Sequence, residues 1–338
     1  MKAFFVEHYG KDTLLALGDR PEPDMRDNEV LVEIRAASVN QLDAKIMSGA
    51  FKQIIPHKMP LTLGHDLAGV VLGTGPRVTA FKTGDEVYGC LPVNRIGAFA
   101  ERVTVDESYL APKPGNLTME EAASLPVVAI TAWQALVVIA GVTPGQRVFI
   151  QAGSGGVGTI AIQLAKHLGA EVATTAGAAS ADALRGLGAD IVVDYRKEDF
   201  AAVVKACDAA LMSQDEASLA KAITILKPGG TAISISGPPD PEFARQAGLN
   251  QLFGLVMWGL SYRIRAAARR RGVRYAFLFM QPGGAQLREL NALLESGVIR
   301  PVIDRVFPFA QTPEALAYVA SGRAKGKVVV GVGGARAG

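Results

Sequence analysis

The spacing of apolar residues along the chain changes near residue 120. Before that point, short apolar runs are separated by clusters of turn-forming residues, which predicts a β-rich region. After it, short apolar runs alternate with segments whose apolar residues recur every three or four positions, which predicts strands alternating with helices. Six strands are predicted in this second region: 146–151, 171–175, 191–194, 207–212, 231–236 and 275–280. The alternation favours an α/β fold with a doubly wound parallel sheet.

The β-rich pattern returns near the end of the chain. After a predicted helix over 286–296, two further strands are expected at 301–307 and 327–332. They resemble the strands of the first region, so we expect a discontinuous domain. The predicted boundaries are 1–124 with 281–338 for the β-rich domain and 125–280 for the parallel-sheet domain.

A glycine-rich segment joins the first strand of the second region to a helix. It consists of Gly153, Ser154, Gly155, Gly156, Val157 and Gly158. A strand, a G-x-G-x-x-G segment and a helix in this order are typical of a dinucleotide site, where the helix N-terminus binds the pyrophosphate. We expect Gly153 to permit the tight turn, Gly155 to let the backbone approach the phosphates, and Gly158 to let helix and strand pack closely. The alternative is a glycine-rich turn without a ligand, which the flanking strand and helix disfavour but leave open.

The end of the next strand indicates which dinucleotide is bound. NAD sites usually carry a carboxylate there, and a carboxylate would repel the 2′-phosphate of NADP. Here the strand ends without one, so NADPH is the predicted cofactor. Thr174 and Thr175 could donate hydrogen bonds to it, and Arg185 and Tyr195 lie where a cation or a phenol could reach it. For Arg185, a solvated surface position is the alternative.

Composition narrows the class of protein. The 338 residues are 49% hydrophobic and 20% charged, with a net charge of +3, which is typical of a soluble globular protein of about two domains. No secretory signal is visible, and the longest apolar stretch, 127–142, is shorter than a membrane span. Two cysteines cannot form a disulfide framework or a thiolate zinc site. We therefore expect a cytoplasmic protein with no membrane partner.

Several short motifs occur in a characteristic order from one end of the chain to the other. They are 36–43, 63–69, 81–89, 97–101, 122–126, the glycine segment, 226–230 and 322–327. In these motifs the chain resembles the zinc-free quinone oxidoreductases of the medium-chain dehydrogenase/reductase superfamily. The resemblance implies a GroES-like catalytic domain joined to a Rossmann domain, with the active site in the cleft between them.

The same resemblance implies that no metal is used. By motif position, Asn40 and Val127 stand where zinc-dependent members have cysteine ligands, while His65 is kept and Asp66 replaces a glutamate. One histidine and one aspartate do not supply the three protein ligands of a catalytic zinc. A zinc alcohol dehydrogenase is therefore excluded at this stage.

Without a metal, hydride transfer to a quinone or an α,β-unsaturated carbonyl is the favoured reaction, because the protein need only supply donors to the developing oxyanion. The expected catalytic residues are Asn40, Asp43 and Lys45: Asn40 offers an amide N–H, Lys45 an ammonium, and Asp43 orients Lys45 or the nicotinamide ribose. An ordinary surface ion pair of Asp43 with Lys45 is the alternative. Quinone reductases of this family often carry tyrosines at the positions of Lys45 and Phe51. Their replacement here favours enones over quinones as substrates.

Further cofactor contacts are expected from the resemblance and from strand ends. Thr131, at the start of a predicted helix over 132–138, could contact the nicotinamide end or cap the helix. Ser236 and Gly237 end the fifth strand and Phe279 lies in the sixth, at the edge where ligands bind in such sheets. Lys327 resembles a basic residue near the cofactor phosphates.

The segment 263–274 contains six arginines in twelve residues. A solvated helix face is the simplest interpretation, and phosphate capture, nucleic acid or an acidic partner are the others. Nucleic acid is disfavoured because no aromatic residue is regularly interleaved. By resemblance, the strand 275–280 could pair with a second copy in a homodimer. The rival function is an NADPH-binding regulatory or RNA-binding protein that has lost catalysis.

Overall fold

The protein is described by a computed structural model that covers residues 1–10 and 12–332. It divides into two compact units. The first contains Met1–Ile130 and the chain from Gln281 onward, and the second is Thr131–Met280. The boundaries predicted from the sequence lie after residues 124 and 280.

Strands dominate the first unit. They are β1 (Lys2–Val6), β2 (Ala16–Asp19), β3 (Glu29–Val39), β4 (Leu61–Thr62), β5 (Asp66–Thr74), β6 (Glu86–Cys90), β7 (Arg102–Asp106) and β8 (Leu110–Pro112), with β15 (Ile303–Pro308) and β16 (Lys327–Gly331) near the end of the chain. The larger sheet runs β15-β16-β3-β5-β6-β8, with β7 paired to β3, while β2, β1 and β4 form a small antiparallel sheet. The central strand β3 is long and apolar, and its buried side chains Val30, Val32 and Ile34 belong to the core of this unit.

The second unit is a parallel sheet with helices. Its strands are β9 (Arg147–Ile150), β10 (Glu171–Ala176), β11 (Ile191–Asp194), β12 (Cys207–Met212), β13 (Leu226–Ser234) and β14 (Arg274–Phe277). They lie in the order β11-β10-β9-β12-β13-β14, and every pairing is parallel. This is the 3-2-1-4-5-6 order of the Rossmann fold, so the predicted doubly wound sheet and the β-rich companion domain are confirmed.

Helices connect or flank these strands. They are α1 (Gln41–Met47), α2 (Met119–Ala123), α3 (Pro126–Trp133), α4 (Gly156–His167), α5 (Ala181–Gly186), α6 (Phe200–Val203), α7 (Glu216–Ile225), α8 (Pro241–Gln246), α9 (Gln251–Arg270), α10 (Gly284–Glu295) and α11 (Thr312–Ala320). Within the described residues, no helix has the length and apolarity that crossing a bilayer requires.

Three element boundaries differ from the sequence prediction and move candidate residues. The helix predicted to begin at residue 132 begins at Pro126 and continues as a π-helix over Gln134–Ile139, so Thr131 lies inside α3 and does not cap it. The proline at the start of α3 set the boundary, since proline is well accommodated in the first turn of a helix. Strands β13 and β14 end earlier than predicted, so Ser236, Gly237 and Phe279 follow the strands instead of ending them.

Candidate functional site

The glycine-rich segment forms the turn from β9 into α4, as the sequence predicts. Its tightest contact is at Gly153, where an added Cβ would lie 2.2 Å from Thr174 Oγ1. The left-handed residue of the turn is Ala152, with φ 55°, rather than a glycine. Gly153 is therefore required by close packing against β10, and the expectation that it permits the tight turn is corrected.

The other two glycines of the motif have the expected surroundings. A Cβ on Gly158 would lie 2.5 Å from the Ala152 carbonyl oxygen and 2.7 Å from Gly153 Cα, so only glycine allows the helix this close to the turn. Gly155 precedes the first helical residue, and its added Cβ would approach only the Ala152 oxygen, at 3.3 Å. The backbone at the start of α4 is thus open on one side. Since the first N–H groups of a helix have no intrahelical acceptor, this segment fits a dinucleotide pyrophosphate.

The threonines of β10 support this turn. The Thr174 hydroxyl is fully buried and donates to the Ile150 carbonyl at 2.6 Å. Thr175 Oγ1 accepts from the Ala152 N–H at 3.0 Å, and the Gly153 N–H donates to the Thr175 carbonyl at 2.9 Å. The Thr174 hydroxyl is therefore used within the turn, which corrects the expectation that it donates to the cofactor. The Thr175 hydroxyl only accepts a bond in the turn, so its donation to the cofactor stays a prediction.

Beside the end of β10 stand an exposed tyrosine and an exposed arginine. The Tyr195 N–H donates to the Ala176 carbonyl at 3.3 Å, which fixes the start of this loop next to the strand end. The Arg196 guanidinium lies 5.6 Å from the centre of the Tyr195 ring. Arg185 lies on α5 and pairs with Asp182 at 2.9 Å. A cofactor role for Tyr195 and Arg185 stays a prediction.

Ser154, Gly156 and Val157 lie in the glycine turn and the first turn of α4, where all three are partly exposed. At the opposite half of the sheet, Ser236 is exposed just beyond β13.

The remaining candidates of this unit have internal partners. The Gly237 carbonyl accepts from the Ser234 hydroxyl at 2.7 Å. The Phe279 ring packs edge-on against Phe243 at 5.1 Å, and Thr131 is buried. Their cofactor contacts remain predictions.

In the first unit, sheet register brings a carboxylate and an ammonium to the end of β3. Ser38 pairs with Asp66 on one neighbouring strand, and Val39 pairs with Val328 on the other. Asp66 and Lys327, each the first residue of its strand, therefore flank the point where β3 gives way to Asn40. The pairing of the three strands dictates this arrangement, because residues that are paired across neighbouring strands lie directly beside each other.

Both carboxylate oxygens of Asp66 accept hydrogen bonds. Its Oδ2 accepts from Ser38 Oγ at 2.6 Å, from Asn40 Nδ2 at 2.9 Å and from Lys327 Nζ at 3.3 Å. Its Oδ1 accepts from the Val127 N–H at 2.8 Å. The carboxylate has no exposed surface, and the Lys327 side chain is 6% exposed. This is a buried ion pair, and the additional hydrogen bonds to both groups offset part of the cost of desolvating them.

Chemistry alone defines the orientation of the Asn40 amide. An ammonium has no acceptor and an ionised carboxylate has no donor. The amide oxygen therefore faces Lys327 Nζ, at 2.6 Å, and the amide nitrogen faces Asp66. The side-chain amide of Asn40 has two N–H groups, and one of them donates to Asp66. The second N–H remains available, and its direction is fixed because the amide cannot rotate without losing both partners.

A second buried pair supports the same turn. His65 Nδ1 and Asp43 Oδ1 are 2.7 Å apart, and Asp43 Oδ2 accepts from the Asn40 N–H at 2.8 Å. His65 Nε2 is buried and has no hydrogen-bond partner among the described residues. Lys45 is exposed on α1, and no ion pair joins it to Asp43 in the described chain. Asp43 positions His65 and Asn40, which corrects the expectation that it orients Lys45 and removes the alternative of a surface ion pair.

Lys327 also differs from expectation. Its ammonium is held by Asn40, by the Val39 carbonyl at 3.3 Å and by Asp66, so it is committed to this network and not displayed to a phosphate group. Sequence reasoning missed the pairing of Asp66 with Lys327 and the part played by Ser38. The signal available was a lone aspartate and a lone lysine, each at the start of an apolar strand candidate.

In the described residues, no group of three histidine, cysteine, aspartate or glutamate side chains is placed to hold a metal ion. Cys90 pairs with Asp66 across the sheet, but burial raises the pKa of its thiol well above the ordinary value. A protonated thiol is a poor zinc ligand, because zinc binds the thiolate.

Comparisons with known proteins agree with the fold. Residues 26–115 match the alcohol dehydrogenase GroES-like domain, and residues 187–330 match a domain model described as zinc-binding dehydrogenase. The mouse mitochondrial NAD(P)H oxidoreductase RTN4IP1 is 35% identical over 98% of this chain and 89% of its own length. The tomato 2-methylene-furan-3-one reductase is 34% identical, covering 98% and 79%. The structure of the quinone oxidoreductase from Coxiella burnetii superimposes with a TM-score of 0.85 at 29% identity, over 98% of this chain and 99% of that one.

Fold, glycine turn and relatives together define an oxidoreductase that uses a nicotinamide cofactor. The chain belongs to the quinone oxidoreductase-like family of the medium-chain dehydrogenase/reductase superfamily, which confirms the resemblance seen in its motifs.

Proposed function

We propose that this protein uses NADPH to reduce quinones or α,β-unsaturated carbonyls without a metal ion. The observation that carries the proposal is the buried network of Asp66 and Lys327, which holds the Asn40 amide in one orientation. In zinc-dependent members of the superfamily, a metal ligand stands at the motif position of Asn40. A fixed amide N–H can serve the same end, since it stabilises negative charge on a substrate oxygen.

The bound nicotinamide supplies the hydride. The chain's own part is electrostatic: the remaining N–H of Asn40 donates to the substrate carbonyl oxygen, where charge accumulates as the hydride adds. Because Asn40 is already held by Lys327 and Asp66, no reorganisation is needed when the charge develops. Lys45, exposed on α1, supplies an ammonium that can protonate the resulting enolate or hydroquinone oxygen.

Cofactor preference is proposed from the end of β10. The strand ends at Ala176 and is followed by Gly177, so no carboxylate of its own stands at the ribose position. Tyr195 and Arg196 begin the loop beside it and are exposed. An exposed guanidinium at this position favours the 2′-phosphate of NADPH over the free hydroxyl of NADH.

The names of the relatives support both substrate classes. The tomato protein is named for reduction of 2-methylene-furan-3-one and the Coxiella burnetii protein for quinone. Phe51 in place of a tyrosine, together with Lys45, favours the unsaturated carbonyls.

A homodimer is part of the proposal. Strand β14 is the last strand of the six-stranded sheet, so one of its edges has no neighbour within the described chain. An edge strand can extend its sheet by pairing with the same strand of a second copy. Light scattering on the purified protein measures the oligomeric state directly.

The experiment measures the rate at which the protein oxidises NADPH in the presence of different substrates, monitored as the loss of NADPH absorbance. 9,10-Phenanthrenequinone, 1,4-benzoquinone and small enones are each offered with NADPH and with NADH. We expect turnover with at least one class and a lower KM for NADPH. A protein that binds NADPH, as shown by its fluorescence, and reduces no member of the panel contradicts the proposal.

A further inference from the structure

The longest helix of the second unit carries an unpartnered apolar face. In α9, the buried residues Met257, Ser261, Ile264 and Ala268 recur every three or four positions and pack into the unit. The opposite face is exposed yet apolar over the first three turns. Its exposed members are Leu252, Leu255, Val256, Trp258, Leu260 and Tyr262, each 45% to 68% accessible. Soluble proteins rarely leave a contiguous patch of this kind uncovered.

The second half of the same exposed face is cationic. Arg263, Arg269 and Arg270 continue it beyond Tyr262, and Arg271 follows the helix end. None of these four arginines forms an ion pair within the described chain. The guanidinium groups of Arg263, Arg269 and Arg270 are therefore available to an anionic partner, while Arg271 also donates to the Thr224 carbonyl at 3.1 Å.

Charge is segregated on the scale of the whole chain. Residues 243–288 contain eight arginines and no lysine, aspartate or glutamate, a formal charge of +8. The complete chain carries +3, so the remaining residues carry −5. A protein with this small net charge thus presents one strongly basic segment, and that segment includes the exposed apolar helix face.

We propose that the exposed face of α9 docks on the surface of an anionic lipid bilayer. The apolar first half would enter the boundary between headgroups and acyl chains, and the arginines would contact lipid phosphates, as amphipathic interfacial helices do. Trp258 and Tyr262 lie in ring contact at 5.2 Å in the middle of the face. These two residue types are enriched at membrane–water interfaces, where an apolar ring with a polar edge is well solvated.

Two other occupants fit less well. A second copy docked on this face would bring Arg263, Arg269 and Arg270 of the two copies together, which like-charge repulsion opposes. The homodimer proposed above pairs the copies at the edge of β14 and does not require this helix face. RNA would satisfy the arginines but would leave Leu252, Leu255 and Val256 exposed, because aliphatic side chains offer no stacking surface for bases. The inference replaces the expectation from sequence that no membrane takes part, and it stands independently of the reductase reaction.

The test is flotation of the full-length protein with vesicles, without any substrate. One set of vesicles contains phosphatidylcholine alone, and the other contains phosphatidylcholine and phosphatidylglycerol at roughly two to one, which supplies the negative surface charge. We expect flotation with the anionic vesicles, little flotation with the neutral ones, and release as salt concentration rises. Absence of flotation with anionic vesicles, or equal flotation with both sets, overturns the proposal.

Matched variants assign the effect to α9. Leu252→Glu with Leu255→Glu places two carboxylates on the face and should abolish flotation. The control is Leu14→Glu with Leu17→Glu, two other exposed leucines of the chain, and should float as the wild type does. Equal flotation of the two double variants, both folded by circular dichroism, shows that α9 is not the docking face.

A second pair of variants isolates the charge. Arg269→Gln with Arg270→Gln should weaken partitioning at least roughly tenfold, since two cations leave the anionic surface. Arg35→Gln with Arg77→Gln removes the same net charge from ion-paired positions elsewhere and should change partitioning less than about twofold. If the α9 leucine variant instead converts a dimer to a monomer, the face binds a second copy of the chain and the proposal fails. If the protein binds RNA and not vesicles, the face binds RNA and the proposal likewise fails.

Discussion

At the scale of single residues, three side chains form and hold the proposed donor to the substrate oxygen. Lys327 and Asp66 are buried and paired, and between them they permit only one orientation of the Asn40 amide. The ion pair is costly to desolvate, and its two charges fix an amide that could otherwise rotate, which favours a positioning role. Asp43 and His65 hold the backbone of the same turn from the other side.

Removing the lysine should affect stability strongly. Lys327→Met leaves the Asp66 carboxylate buried without its cation, and we expect the free energy of unfolding in urea to fall by about 3–5 kcal/mol. The control is Lys325→Met, an exposed lysine two residues earlier, which should change the free energy of unfolding by less than about 0.5 kcal/mol. Similar losses in the two variants would show that the buried pair is not what stabilises this turn.

Removing the amide should affect rate more than binding. Asn40→Ala deletes the proposed donor, and we expect kcat to fall by about 10²–10³, with little change in the Kd for NADPH. Gln41→Ala, at the next residue, is the matched control and should keep most of the activity. An Asn40→Ala enzyme with wild-type kcat would remove Asn40 from the mechanism.

At the scale of elements, the proposed cofactor site consists of the turn from β9 into α4 and the end of β10. The steric need for glycine is strongest at Gly153 and Gly158, where neighbouring atoms already occupy the place of a Cβ. Thr174 and Thr175 bind the turn to β10, so the element works as one packed piece. Changes that disturb this packing should weaken cofactor binding without touching the cofactor.

Gly153→Ala tests this packing. The new Cβ would lie 2.2 Å from Thr174 Oγ1, so the turn must shift. Overpacking of this kind should reduce the free energy of unfolding by about 1–3 kcal/mol and raise the Kd for NADPH in a fluorescence titration. Gly186→Ala on α5, where nothing lies within 4 Å, is the control and should leave that Kd unchanged. A Gly153→Ala protein with wild-type affinity would contradict the packing argument.

Gly177→Asp tests cofactor choice. The site has open space for a side chain, and the new carboxylate at the end of β10 should repel a 2′-phosphate. We expect the KM for NADPH to rise at least roughly tenfold while the KM for NADH falls or stays constant. Gly177→Asn has the same shape without the charge and should change the ratio of the two KM values little. If Asp and Asn behave alike, the preference does not depend on charge at this strand end.

Much of the element structure could be predicted from sequence, and the failures have physical causes. Apolar periodicity located all six parallel strands, because buried parallel strands are continuous apolar runs. It misplaced the start of α3, since the apolar stretch around Thr131 has no periodic contrast and only Pro126 marks the boundary. The cofactor roles of Thr174 and Thr175 were assigned from position, and sequence does not show that their hydroxyls already have partners in the turn.

At the scale of the whole molecule, sequence motifs identified the family, but the sequence did not show which distant residues contact each other. Asp66 and Lys327 are separated by 261 positions, and only the register of β16 and β5 on β3 brings them together. The basic segment shows the reverse case. Its charge is plain in the sequence, but the exposure of the apolar half of α9, on which bilayer docking depends, requires the packed second unit.

The central claim is that a fixed amide N–H and a nicotinamide cofactor suffice for reduction, with no metal. Its most direct test is the rate of NADPH oxidation with 9,10-phenanthrenequinone by protein that has been dialysed against a chelator and analysed for zinc. The account predicts undiminished turnover in protein that contains no zinc. Activity that is lost with the metal and returns only when zinc is added would contradict it.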